Sequence, residues 1–282
     1  MDKGRVTRFA PSPTGRLHAG HGYSALLAHD FARTQGGRFL LRIEDIDRGR
    51  CRAEHVQAIL DDLRWLGIEW DGEVVFQSQR MALYAAALDR LKAMGVVYPC
   101  FCTRADIARE IAASQSAPHG PDGPLYPGTC RALPQGQRAG RLAREDHAWR
   151  IDIGRAAALA GPLDWHDAHA GRVAADPMSL GDVVLARKDA GTSYHLAVTV
   201  DDAAQGVTDV IRGMDLFHAT HVHRLLQALL GLPTPAYRHH PLLVGADGRR
   251  LAKRDGAPTL AAMRANGEDG LAVAARLRRG RQ

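Results

Sequence analysis

The sequence predicts an α/β fold built around a parallel sheet, with an insertion that divides the sheet-forming part in two. Residues 1–98 alternate strand-like and helix-like patterns, which predicts right-handed βαβ units. The character changes over 99–181, a range that contains a Ser-, Pro- and Gly-rich stretch and three of the four cysteines. The alternating pattern returns over 182–265 and is followed by a short basic tail at 266–282.

Hydrophobic periodicity predicts the individual elements in chain order. In the first half they are a strand at 5–10, a helix at 19–34, a strand at 38–44, a helix at 52–66, a strand at 73–76 and a helix at 79–94. The insertion contains short strands and turns at 149–153 and 161–177. The second half continues the α/β pattern at 182–187, 194–200 and 209–212, with helices at 216–230 and near 260–265.

Composition limits the class of protein. The chain has 282 residues with 45% hydrophobic content, which is enough to bury a core. Its net charge of +6 suits a polyanionic partner, although Arg-rich proteins commonly share this property. No apolar run is long enough to span a bilayer and the N-terminus leads directly into a strand, so we expect a cytoplasmic protein without membrane contact. Four cysteines are too few for a disulfide scaffold.

The segment RFAPSPTGRLHAGH near the N-terminus is typical of a phosphate site between a strand and a helix. Pro11 and Pro13 force an extended exit from the strand, and Gly15 permits a tight turn. A helix then begins near His18, and Gly20 allows another group to approach the amides of its first turn, which attract anions. The alternative is an ordinary strand-to-helix loop, which a bare His-x-Gly-His pattern would favour.

The whole segment, including His18 and His21, resembles the first signature of class I aminoacyl-tRNA synthetases, and specifically of their glutamyl and glutaminyl branch. This resemblance implies a Rossmann-like parallel sheet, the class I catalytic domain, interrupted by a zinc-containing insertion. It also implies that ATP binds with Mg²⁺ and that L-glutamate is activated as glutamyl-adenylate. The residues implied to contact ATP in this segment are His18, Gly20 and His21.

A second segment, Leu-Leu-Arg-Ile-Glu-Asp-Ile-Asp, runs from an apolar strand into charged positions. Glu44 follows the strand, and ligands of open α/β sheets bind at the carboxyl ends of strands. A carboxylate there suits a substrate ammonium, whereas Asp45 or Asp47 is equally typical of an acidic helix N-cap. The segment resembles the amino-acid pocket of the glutamyl branch, in which the Glu44 position contacts the substrate.

Arg212 ends a β-like run just before a glycine, where a guanidinium can hold a carboxylate through two hydrogen bonds. The alternative is a surface ion pair with Asp209 or Asp215. Two arginines in one pocket suit a substrate with two carboxylates. The resemblance implies a glutamate pocket lined by Arg8, Ser12, Glu44, Tyr194 and Arg212.

A third segment, Arg-Leu-Ala-Lys-Arg, follows a glycine-containing turn and resembles the second class I signature loop. Taken alone it is typical of a solvated basic turn. Lys253 is the lysine that the resemblance places against ATP, where a cation stabilises the leaving pyrophosphate. Arg250 and Ala252 depart from the usual Lys-Met-Ser-Lys-Ser pattern.

Three clustered cysteines indicate a metal site. Cys100 and Cys102 alternate along an extended segment, and Cys130 follows after a loop. Zn²⁺ takes four S, N or O ligands, so one position is left over. Coordination chemistry alone favours His119, whereas the family resemblance implies Tyr126, whose spacing to Cys130 matches a Cys-x-Cys and Tyr-x-x-x-Cys pattern. The alternative is a set of buried, reduced thiols.

Few residues follow Lys253 in this chain, whereas glutamyl-tRNA synthetases carry a large anticodon-binding part after the second signature. The resemblance is therefore to the paralogues of this branch that transfer glutamate to the queuosine base in the anticodon loop of tRNA(Asp). Val198, which stands where charging relatives have Asn, agrees with this interpretation. Two alternatives stay open: a truncated enzyme that charges an acceptor end, and a non-catalytic, zinc-containing RNA-binding paralogue.

Overall fold

The computed structural model describes residues 4–113, 119–121, 123–243 and 258–280. The predicted second signature, with Lys253, lies outside the described residues. The strands are β1 (Val6–Phe9), β2 (Arg38–Ile43), β3 (Val75–Phe76), β4 (Val97–Cys100), β5 (His119–Gly120), β6 (Gly123–Pro124), β7 (Ala148–Ile151), β8 (Asp164–Asp167), β9 (Gly171–Ala174), β10 (Val184–Ala186), β11 (Asp209–Gly213) and β12 (Ala236–His240).

The helices pack around these strands, and none of those in the described residues has the length and apolar character needed to cross a membrane. They are α1 (Ala19–Thr34), α2 (Ala53–Trp65), α3 (Met81–Ala93), α4 (Arg104–Ala113), α5 (Gln135–Leu142), α6 (Ile153–Ala160), α7 (Tyr194–Ala204), α8 (Ala219–Leu230), α9 (Leu260–Ala265) and α10 (Gly270–Arg278).

A parallel sheet is formed by both halves of the chain. Strands β1, β2 and β3 are parallel neighbours, and β11, β12 and β8 form a second parallel set with β9 antiparallel at its edge. The two sets meet where the Thr208 amide donates to the Val6 carbonyl at 2.9 Å. The order β3-β2-β1-β11-β12 therefore changes direction between β1 and β11, which is where α/β folds of this type bind ligands.

Helix α1 begins at the loop that the sequence singled out. The His18 ring accepts the Gly20 amide and the His21 ring accepts the His18 amide, so the two side chains cap the first turn reciprocally. One face of α1 buries Ala25, Leu26 and Ala32 against the strands. Local capping and an apolar stripe thus fix the start and the orientation of the helix.

Residues 161–177 behave differently from the rest of the range predicted as an insertion. Strands β4, β7 and β10 form an antiparallel sheet, whereas the β8–β9 hairpin joins the main sheet by pairing Asp167 with Tyr237 of β12. The β10 segment, which the alternating pattern assigned to the second half, also belongs to the antiparallel sheet. Hydrogen bonds between distant segments decide which sheet the β8–β9 hairpin and β10 join. The local sequence pattern does not show these bonds.

The predicted basic tail contains the helix α10. Asp269 caps it by accepting the Ala272 amide at 2.7 Å, and Val273, Ala274 and Leu277 are buried in the core beside α1. A Cβ on Gly270 would lie 1.9 Å from the Trp65 carbonyl oxygen, so glycine permits the helix to start against α2. The arginines dominate the composition of this segment, but its apolar spacing decides its structure.

Candidate active site

A cavity of about 320 Å³ opens at the carboxyl ends of β1 and β11. It lies where the sheet changes direction, the position expected for a ligand in this type of fold. The structure brings together here every described residue that the sequence assigned to glutamate or ATP. They are Arg8, Ser12, His18, Gly20, His21, Glu44, Tyr194 and Arg212.

His18 and His21 lie at the N-terminus of α1 with ring centroids 3.8 Å apart. Nδ1 of His18 accepts the Gly20 amide at 3.1 Å, and Nδ1 of His21 accepts the His18 amide at 3.2 Å. A neutral ring whose Nδ1 accepts carries its proton on Nε2, and a phosphate oxygen accepts from such a donor. The capping geometry therefore sets the tautomer that an anion at this helix end requires.

Arg8 is held in place by a carboxylate from the other half of the chain. Its Nε and Nη2 donate to the two oxygens of Asp202 at 3.0 and 3.3 Å, and Arg42 donates to Asp202 at 2.9 Å. Burial raises the pKa of Asp202, but the charges of Arg8 and Arg42 outweigh burial and hold it below its ordinary value. Sequence reasoning missed Arg42 and Asp202. Two adjacent aspartates in the apolar helix α7 were the available signal.

Glu44 differs from the other two acidic residues of its segment. Asp45 accepts the Ser78 amide at 2.8 Å and the Ser78 hydroxyl at 2.6 Å, and Asp47 pairs with Arg50 and Arg187. The Glu44 carboxylate is buried on the cavity, 3.4 Å from Arg42. Burial raises its pKa, and the charge of Arg42 only partly offsets this. Neither Asp45 nor Asp47 is the N-cap residue of the helix that follows, because Arg52 precedes α2 and makes no side-chain cap hydrogen bond.

Arg212 is a buried cation whose partners are all neutral. Of the two aspartates considered as ion-pair partners, Asp209 instead faces Arg5 at 3.4 Å, and within the described part of the chain no carboxylate pairs with Arg212. The acceptors of its hydrogen bonds are His239 Nε2 at 3.0 Å, Tyr194 Oη at 3.2 Å, His223 Nδ1 at 3.4 Å, the Leu216 carbonyl at 3.1 Å and Thr220 Oγ1 at 2.6 Å.

A second cavity of about 220 Å³ adjoins the first. The two share Ser12, Glu44 and Tyr194, and the second is otherwise lined mainly by polar side chains. Those side chains belong to Thr14, Asp47, Arg50, Gln77 and Arg187. A molecule in the second cavity would therefore lie beside Ser12, Glu44 and Tyr194, which also line the first.

The predicted metal ligands also lie together. The Sγ atoms of Cys100, Cys102 and Cys130 are all within 4.8 Å of one another. The Tyr126 hydroxyl is 3.4 Å from the Cys100 sulfur and 3.6 Å from the Cys102 sulfur. His119 contributes its backbone to β5, but its side chain lies outside what the structure describes. Three thiols and a phenol form a donor set that fits Zn²⁺.

Burial and hydrogen bonds shift the pKa values of the groups in this cluster. Burial raises the pKa of Cys102 to about 12 and raises the pKa of Tyr126 further still. Burial also raises the pKa of Cys130, but hydrogen bonds from the Phe101 amide and from Tyr126 outweigh it and lower the value. Without a metal, Cys102 and Tyr126 therefore stay protonated at neutral pH, whereas binding of a divalent cation would displace protons.

Comparison with known proteins identifies the family. Residues 5–280 match the family described as tRNA synthetases class I (E and Q), catalytic domain. The chain belongs to this family. It is therefore a ligase of the class I aminoacyl-tRNA synthetases. This result confirms the family that was predicted from the first signature.

Individual relatives agree with this assignment. A Rhodobacter capsulatus protein named glutamyl-Q tRNA(Asp) synthetase is 54% identical over 93% of the chain and 95% of its own length. A Nocardia farcinica protein of the same name is 50% identical over 92% of the chain and 78% of its own length. A glutamate tRNA ligase structure from Elizabethkingia meningosepticum, solved with its amino acid, matches 98% of the chain with a TM-score of 0.81 and 26% identity. The chain spans 60% of that structure's chain.

Proposed function

We propose that the chain activates L-glutamate with ATP and transfers it to the queuosine base in the anticodon loop of tRNA(Asp). Arg212 carries the first part of this proposal. Within the described residues this buried guanidinium on the cavity has only neutral partners, and a substrate carboxylate would supply a counter-anion. Arg8 and Arg42 already share Asp202 as a counter-anion, so the requirement for an external anion is strongest at Arg212.

The other residues of the cavity complete the recognition of an amino acid. Glu44 supplies a carboxylate for the substrate ammonium, Arg8 adds a second guanidinium, and Ser12 and Tyr194 add hydroxyls. An amino acid with two carboxylates and one ammonium matches these charges. The charge pattern therefore favours glutamate over neutral or basic amino acids.

ATP is proposed to bind along the N-terminus of α1. Gly20 permits close approach, and the Nε2–H groups of His18 and His21 are donors for phosphate oxygens. Lys253, outside the described residues, is proposed to stabilise the leaving pyrophosphate. Mg²⁺ accompanies ATP and neutralises phosphate charge. The glutamate carboxylate attacks the α-phosphate directly, so activation needs positioning and charge stabilisation and no covalent enzyme intermediate.

The second cavity is the proposed entrance for the acceptor hydroxyl. It shares Ser12, Glu44 and Tyr194 with the glutamate cavity, so a group lying in it reaches the activated carboxylate. The relatives named glutamyl-Q tRNA(Asp) synthetase support queuosine in tRNA(Asp) as that acceptor. The solved relatives are named as glutamate tRNA ligases, which makes charging of a tRNA acceptor end the second candidate activity.

We further propose that the cysteine cluster binds Zn²⁺ in a zinc-containing insertion. Cys100, Cys102, Cys130 and Tyr126 would be the four ligands, since their sulfur and oxygen atoms already converge. A zinc ion there supplies cross-linking between β4 and the loop before α5 and takes no part in the reaction.

The experiment that tests the activity is ATP/pyrophosphate exchange with each amino acid in turn, without RNA. Exchange that depends on glutamate supports the proposal, whereas no exchange with any amino acid would favour a non-catalytic RNA-binding paralogue. Labelled glutamate is then offered to tRNA(Asp) with queuosine, tRNA(Asp) without it, and tRNA(Glu). Label on queuosine-containing tRNA(Asp) alone supports the acceptor, and label on the terminal ribose of tRNA(Glu) contradicts it.

A further inference from the structure

A buried aspartate and a buried histidine lie next to Arg212, on the side of the sheet away from the first signature loop. Asp167 ends β8 and His239 lies in the neighbouring strand β12, and both side chains are fully buried. Asp167 Oδ2 is 2.8 Å from His239 Nδ1, and Arg212 Nε is 3.0 Å from His239 Nε2. The three side chains therefore form one chain of hydrogen bonds that ends at the cavity.

Chemistry fixes the direction of each bond. A carboxylate only accepts, so His239 must carry a proton on Nδ1. A guanidinium only donates, so His239 must accept at Nε2. Both conditions are met by a single species, the neutral ring with its proton on Nδ1. We propose that Asp167 and His239 are positioning residues that hold Arg212 in the orientation that binds the substrate carboxylate; this inference rests on the role of Arg212 in the proposed function.

Asp167 is built as a fixed anchor. Its Oδ1 accepts the amides of His169 and Ala170 at 2.8 and 3.0 Å, and its Oδ2 also accepts the His239 amide at 3.0 Å. Burial raises its pKa, but these hydrogen bonds outweigh burial and lower it to about 2. The carboxylate is therefore ionised at neutral pH.

Neighbouring rings hold the plane of the imidazole. The Tyr237 ring is nearly parallel to His239, with centroids 5.9 Å apart, and the Trp165 ring lies 5.8 Å away at its edge. These rings and that of Phe217, whose centroid is 5.1 Å away, restrict rotation of the imidazole and so favour one direction of its Nε2 lone pair. Arg212 Nε must follow that direction to keep its bond.

The arrangement also explains how a buried cation keeps its charge available. Asp167 lies one imidazole ring away from Arg212, so it stabilises the guanidinium at a distance without occupying it. A direct ion pair between Arg212 and a carboxylate of the protein would compete with a substrate carboxylate for the same guanidinium. The hydrogen-bonded chain from Asp167 through His239 therefore stabilises the charge of Arg212 and leaves its guanidinium available to a substrate carboxylate.

The test begins with Asp167→Asn. An amide nitrogen facing His239 Nδ1 would favour the other tautomer, whose protonated Nε2 opposes the Arg212 donor. In glutamate-dependent pyrophosphate exchange we expect KM for glutamate to rise about tenfold to a hundredfold, with KM for ATP unchanged within about twofold. His239→Gln, which keeps an acceptor near the Nε2 position, should raise KM for glutamate less than His239→Ala does.

Val173→Ala is the matched control because it removes packing from the same hairpin and leaves the hydrogen bonds of Asp167 and His239 in place. It should lower the melting temperature without changing KM for glutamate. Nitrogen-15 NMR of labelled histidines, with His239→Gln to assign the signal, should show the Nδ1–H tautomer in the wild type and the Nε2–H tautomer in Asp167→Asn. The inference is overturned by an Nε2–H tautomer in the wild type, or by equal KM values in Asp167→Asn and Val173→Ala.

The two proposals fail in different ways. Absence of glutamate-dependent exchange in the wild type would overturn the proposed function, whatever the tautomer of His239. Normal exchange in the wild type and an unchanged KM in Asp167→Asn would overturn only the positioning role. Calorimetric titration of glutamate into both proteins measures binding without turnover and must show the same ratio as the two KM values.

Discussion

In the substrate cavity, buried charges are paired by residues far apart in the chain, whereas in the cysteine cluster the polar atoms come from two short segments. Asp202 reaches back across the sheet to Arg8 and Arg42. The cluster instead draws on residues 100–102 and 126–130, and its Cys102 and Tyr126 have raised pKa values. The protein itself supplies the countercharges of the first region, apart from that of Arg212, and a cation from solution would supply those of the second.

This comparison predicts that removal of a charged residue impairs the cavity, and that removal of a ligand atom lowers the metal content of the cluster. The largest effect is expected at Arg212, the cavity arginine that forms no ion pair within the described residues. Arg212→Ala should lower kcat/KM for glutamate in pyrophosphate exchange by about 10³, equivalent to about 4 kcal/mol. Arg238→Ala, which removes a neighbouring arginine that packs on Phe31, is the control and should change it little. Equal losses in the two variants would contradict the role of Arg212.

The next largest effect tests the internal pairing. Asp202→Asn leaves Arg8 and Arg42 buried without their shared carboxylate, and we expect it to lower the free energy of unfolding by about 3 kcal/mol. Asp209→Asn removes the partner of the half-exposed Arg5 and should cost about 1 kcal/mol or less. Urea unfolding at neutral pH measures both. A loss at Asp202 no larger than that at Asp209 would show that the cavity does not depend on internal pairing.

The cysteine cluster should respond in metal content. Protein purified without chelator should hold about one zinc per chain, and Cys102→Ser should lose most of it because a thiolate ligand is replaced by a weaker donor. Cys51→Ser, outside the cluster, is the control. Tyr126→Phe keeps the ring and removes only the oxygen, so a fall in zinc affinity there identifies the phenol as a ligand. Elemental analysis decides, and wild-type protein without zinc would contradict the proposal.

The smallest effect is a pH dependence at Glu44. Its raised pKa means that the folded state favours the protonated carboxyl, and this contribution to stability is lost as the pH rises through that pKa. Glu44→Gln should therefore be at least as stable as the wild type at neutral pH although it binds glutamate poorly. In the wild type, KM for glutamate should rise as the pH falls and Glu44 is protonated, by at most about tenfold per pH unit. A wild-type KM that stays constant over that range would rule out an ammonium contact.

Local sequence was sufficient where local forces decide the structure. The predicted helix at 19–34 has the bounds of α1, because His18 and His21 cap its first turn and an apolar stripe defines its face. The family followed from the signature segments and is confirmed by the match over residues 5–280. The many arginines of residues 266–282 predict a basic tail. The core contacts that hold α10 are not visible in the composition of this segment.

The sequence by itself determined the strands and helices of residues 1–94, the signature loop and the residue types of both sites, because capping, periodicity and spacing act over a few positions. It did not predict β12 or α10. Only the tertiary structure decided which charges pair. Arg212 was expected either to bind a ligand or to pair with Asp209 or Asp215. Within the described residues it forms no ion pair, and Asp209 lies beside Arg5 instead. Its orientation comes from Asp167, whose strand pairs with β12. Such contacts join residues that are distant in the chain, so no local pattern encodes them.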